Sequence, residues 1–143
     1  MILQQPDVAI TDFLLVLEAV ILGILLFSIE VKSRIKVIFF LFYLSLALGS
    51  LEGGIVHGFF PQAGSLWNFV LWRATMVSLG IVAIFSWTIA GEIMLPKYRK
   101  AITYSALLEF IVYSYYVVFI NSQFKIAIYN YALPTVFLLI ASK

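Results

Sequence analysis

From the N-terminus the chain alternates long apolar runs with short polar links. The runs cover 13–29, 37–57, 67–91, 101–120 and 126–141. None shows the period of two expected of a membrane strand, and a helix needs roughly 20 apolar residues to cross a hydrocarbon core of about 30 Å. Inside lipid every backbone N–H and C=O must be satisfied within the chain, which leaves helices as the reading. The pattern predicts an all-α polytopic transmembrane helix bundle of about five helices, in one transmembrane domain over 1–143. The last run is short and carries Pro134, so it is expected to be kinked, thinly flanked or incomplete. The links are short enough to make consecutive helices antiparallel neighbours.

Composition supports a lipid solvent for these side chains. The 143 residues are 64% hydrophobic and 11% charged, against about 45–50% and about 25% in soluble domains. A water-soluble fold of this size has too little interior to hide so much apolar surface. The net charge is only +2 and the bases are spread over links, so a nucleic-acid partner is not expected. With no cysteine, disulfides, thiolate metal sites and cysteine nucleophiles are excluded. The first twelve residues lack the basic start of a secretory signal, and the first run is read as a permanent span.

The bases also predict a direction. Lys32, Arg34 and Lys36 lie in the first link and Lys97, Arg99 and Lys100 in the third, whereas the N-terminal segment and the second link have none and the fourth has only Lys125. The positive-inside rule then puts the N-terminus outside and the first and third links in the cytoplasm. A bacterial inner membrane is the expected location, with an organelle membrane as the alternative.

Four charged residues interrupt the runs: Glu18, Glu52, Arg73 and Glu109. Charges at membrane depth cost about 2.5–3.5 kcal/mol on insertion scales and mark functional or interhelical contacts. By helical rise Glu18, Glu52 and Arg73 fall about 8–9 Å inside the outer face, with His57 at the mouth of the second helix and Glu109 nearer the midplane. Arg73 is the one cation of that layer, so Glu18 and Glu52 are expected to converge on it. Such a cluster reads either as a buried ion pair joining three helices or as a pocket for a small ligand, lipid headgroup or ion. In the second helix Ser45, Gly49, Gly53 and, less closely, His57 form a stripe at four-residue spacing, with Gly54 beside it. Gly49-x3-Gly53 lets another backbone approach closely.

Catalytic chemistry finds little support. A metal site would have to combine the lone His57 with Glu52, Glu18 or Glu109. No lysine lies within a run to form a Schiff base, Ser50 is poorly placed for His57, and no phosphate loop is present. A proton or ion path through the carboxylates stays open. No reaction and no cofactor follow from the sequence.

The stretch "GSLEGGIVHGFFPQAGSLW" resembles a family of uncharacterised bacterial multi-pass membrane proteins. It does so at Gly53, Gly54, His57, Gly58, Phe59, Leu66 and Trp67, with an acidic entry to the first helix at Asp7 and Asp12. That resemblance implies about seven helices, of which this chain would supply five. The layout is more distantly similar to the seven-helix alkaline ceramidases and adiponectin-type receptors, which hold zinc with one histidine on the second helix and a pair near the last. Only His57 has a counterpart here. Three functions remain in view: a membrane protein with a polar outer pocket, an accessory subunit of a larger membrane complex or self-associating protein, and a metal-dependent lipid hydrolase whose other ligands lie outside this chain.

Overall fold

The computed structural model describes residues 3–62 and 64–141. Among these residues the fold is all-helical, with α1 Pro6–Ser28, α2 Arg34–Phe59, α3 Leu66–Met94, α4 Arg99–Phe119 and α5 Phe124–Ala141. The first four are long and apolar enough to cross a membrane, while the apolar helix Phe124–Ile140 is shorter. Pro134 sits inside α5 and is fully buried, so the fifth run does form one helix despite it.

The helices outrun the apolar stretches that predicted them, and the reasons are local. Pro6 stands in the first turn of α1 with Asp7 beside it. Proline has no N–H to lose there, and a carboxylate suits the positive end of the helix dipole. The helix therefore starts well before Phe13 and takes Asp12 into its second turn. The C-terminus of α2 is closed by the chain's own beginning, because the N–H groups of Gln4 and Gln5 donate to the carbonyls of Gly58 and His57 at 3.1 and 3.2 Å. Those carbonyls would otherwise be among the last four of the helix without a partner. Gly64, at φ +100°, turns the chain into α3, whose first turn is capped by Ser65 Oγ accepting from Asn68 N–H at 3.1 Å. At the opposite end Lys36 donates to the carbonyls of Phe27 and Ile29, tying α2 to the end of α1.

Helix α3 is the axis of the bundle. It packs against α2, α4 and α5, while α1 packs against α2. Small residues make this possible: Ser78, Gly80, Ala83, Ser86, Ala90 and Gly91 are all buried. The expectation that consecutive helices are neighbours fails once, since α5 lies along α3 and not along α4. Two α3 side chains explain the detour. Trp72 Nε1–H donates to Ser122 O at 2.7 Å and Arg73 Nε–H to Val118 O at 3.0 Å, pinning the α4–α5 link over α3. Met76, Tyr113, Val117 and Ala127 then form a buried cluster where α3, α4 and α5 meet. At the basic end Glu92, only 10% exposed, pairs with Arg34 of α2 at 3.0 Å and Arg99 of α4 at 3.4 Å.

Candidate functional site

The glycines of α2 are seats for its neighbours. A Cβ on Gly49 would lie 3.2 Å from Ser78 Cβ of α3, and one on Gly54 only 2.9 Å from the Phe13 ring of α1. Gly53 lies between both helices: its Cβ would meet the Asp12 carboxylate at 3.2 Å and the Thr75 methyl at 3.7 Å. The small-residue stripe thus admits α1 on one side and α3 on the other, as close backbone approach requires. Ser45, at the far end of the stripe, is half-buried and turns its hydroxyl back to Leu41 O at 2.7 Å.

Beside this stripe is a cavity of about 640 Å³ between α1, α2, α3 and α5. Pockets for small ligands commonly fall between about 300 and 1,000 Å³. One end is polar and aromatic, lined by Asp12, His57, Trp72, Thr75, Phe124 and Tyr131. The other is mainly apolar, lined by Phe42, Leu46, Leu79, Val82 and Leu138, with Ser86 and Thr135 turning their hydroxyls back to helix carbonyls. From His57 to Phe42 the helical rise gives roughly 22 Å, so the cavity is elongated along the bundle. Helix α4 contributes nothing to it. Both α1 and α5 line the cavity, yet no substantial packing joins them.

The polar end is ordered by aromatic and hydrogen-bond contacts. His57 Nδ1 lies 2.6 Å from Gln5 Oε1. The contact fixes the ring on the side chain of Gln5, from the segment that closes the end of α2. The His57 and Trp72 rings meet edge to face at 5.7 Å, and Trp72 and Phe124 lie 6.1 Å apart. Asp12 rests against Gly53, and among the described residues no hydrogen-bond donor reaches its carboxylate.

The expected convergence of Glu18, Glu52 and Arg73 does not occur. Arg73 lies over the Phe69 ring at 3.6 Å and donates to Val118 O, so it neutralises the carbonyl end of α4 instead of a carboxylate. Glu52 accepts from Ser78 Oγ at 2.8 Å, a polar contact between α2 and α3. Glu18 is exposed on α1. Glu109 is likewise exposed, on α4, beside the Trp87 indole, whose buried Nε1–H makes no hydrogen bond of ordinary geometry. Of the candidate site and packing residues expected from the sequence, His57, Gly49 and Gly53 line the cavity; Asp12, expected as part of the acidic entry to the first helix, completes its polar end with Trp72 and Thr75. Among the described residues no three His, Cys, Asp or Glu side chains gather to hold a metal ion.

Fold and cavity together define a class: an all-α bundle, four of its helices suited to a bilayer, enclosing an elongated cavity with one polar end. The sequence profile of a family of unknown function (DUF6962) matches residues 8–143, and the chain belongs to that family. No curated protein and no solved structure matches it.

Proposed function

We propose that this is an integral membrane protein that binds one amphiphilic molecule, its polar head beside Asp12 and His57 and its apolar chain beside Phe42, Leu46 and Val82. The observation that carries the reading is the division of a single cavity into a polar end and a long apolar end. A water-soluble ligand has no use for the second, and a bare hydrocarbon gains nothing from the first. Entry is lateral, between α1 and α5, from the surrounding lipid. Glu18 and Glu109, exposed at membrane depth, favour in addition an association with other subunits or a second copy, since lipid is a poor solvent for a carboxylate.

Filling the apolar end tests the reading. In nonionic maltoside micelles, dodecanol with a bromine at its chain end is expected to quench tryptophan fluorescence of the protein saturably. Val82→Phe, in the cavity wall, is expected to weaken that binding by about tenfold while leaving the circular dichroism spectrum unchanged. Leu138→Phe serves as the second variant should the first not fold. Unaltered binding in a folded variant would overturn the proposal.

Orientation is part of the same reading. The bases of the first and third links place the polar end of the cavity at the non-cytoplasmic face. The chain has no cysteine, so single cysteines can be introduced without further change. Gln62→Cys should react with an impermeant maleimide in intact cells, and Lys97→Cys only after permeabilisation. The opposite pattern would put the cavity mouth on the cytoplasmic side.

A further inference from the structure

We propose that the polar end of the cavity selects a primary ammonium group carried on a long apolar chain. This rests on the amphiphile reading above and names the head that the cavity takes. A donor-and-acceptor account leads to it. The Trp72 N–H is spent on Ser122 O at 2.7 Å, the Thr75 hydroxyl on Leu71 O at 2.9 Å, and the Thr135 hydroxyl on Tyr131 O at 2.7 Å. The His57 Nδ1 is engaged with Gln5 Oε1. What these residues leave over is acceptors: both Asp12 oxygens and the lone pairs of Thr75. The Ser50 and Tyr131 hydroxyls can turn to either role.

Charge points the same way. Among the described residues no lysine or arginine lines the cavity, and the nearby Arg73 is engaged with α4. An anionic head would set a second negative charge beside Asp12 without committed donors. A primary ammonium brings three donors and no acceptor, which is the complement of this wall. The aromatic rings of Trp72 and Phe124 supply the electron-rich faces that cations favour. Gly53 has a part in it: by lacking a side chain it lets the Asp12 carboxylate lie against α2, at the cavity wall.

The test compares three heads on one chain, dodecylamine, dodecanol and laurate, at neutral pH in nonionic maltoside micelles with protein-free partitioning subtracted. Dodecylammonium is expected to bind about tenfold more tightly than dodecanol, the effect of a charged hydrogen bond, with laurate weakest. Asp12→Asn should weaken the amine far more than the alcohol and so remove that margin. The ranking on the wild-type protein decides the matter even if the variant does not fold. Equal binding of amine and alcohol, or tightest binding of laurate, overturns the ammonium assignment. If dodecanol still binds and Val82→Phe still weakens it, the amphiphile reading survives that result; if none of the three chains binds, both fall.

Discussion

Gly80→Ala is expected to destabilise the bundle by about 1–2 kcal/mol, although the same substitution within a helix ordinarily stabilises by about 0.5–1 kcal/mol. The new methyl group would lie 2.7 and 2.8 Å from Tyr113 ring carbons and 3.0 Å from the Phe110 ring. Tyr113 has nowhere to retreat. It is 6% exposed, belongs to the cluster joining α3, α4 and α5, and its hydroxyl donates to Met76 O at 2.9 Å. Met76 is one turn before Gly80, so the ring lies flat across the glycine to reach that carbonyl. Overpacking here must push α4 off α3 or break the hydrogen bond. Gly23→Ala is the matched control, because its nearest neighbour would be Tyr43 Cβ at an ordinary 3.7 Å. Thermal unfolding in micelles should rank Gly80→Ala below wild type and Gly23→Ala at or above it. Equal midpoints for the two variants would mean that α4 is not wedged on Gly80.

The fold was legible in the sequence because lipid removes alternatives. Apolar runs of span length cannot be anything but helices there, and all five runs lie within helices to within a residue at either end. The glycine stripe of α2 was legible too, since close approach has a spacing signature. Asp12 was hidden by the criterion used. An apolar run begins at Phe13, and the helix start encoded by Pro6 and Asp7 precedes it, so Asp12 reads only as part of an acidic entry to the first helix and not as a carboxylate in its second turn. The signal was present in the proline at the helix entrance.

Arg73 was misread for a different reason. Its partner was sought among carboxylates of equal depth, whereas the partner is a backbone carbonyl at the end of α4. Every helix end presents such acceptors, and no residue type marks them. The same blindness explains α5. Sequence adjacency argues that α4 and α5 pack together, but the Trp72–Ser122 and Arg73–Val118 bonds anchor their link on α3, and neither bond can be seen without knowing where the carbonyls lie. Glu92 went unnoticed because it follows the third run directly and reads as one more loop charge, although it is largely buried.

That burial makes the basic end of the bundle strongly non-additive. Glu92 holds Arg34 at 3.0 Å and Arg99 at 3.4 Å, and the two arginines are themselves 53% and 43% exposed. Removing either arginine leaves the carboxylate with the other, so Arg34→Met or Arg99→Met alone should cost about 1 kcal/mol or less, as exposed partners do. Removing both strands a carboxylate that is 10% exposed among α2, α3 and α4. A buried charge without a partner costs about 3–5 kcal/mol, and the double variant should approach the lower figure. Adding Glu92→Gln to the double variant should then restore much of the loss, because the neutral amide needs no counter-charge. Denaturant unfolding of the five proteins in micelles measures this cycle and its rescue. Additive losses, or no recovery with Glu92→Gln, would show that the arginines act through their apolar stems on the helix ends and not through the charge of Glu92.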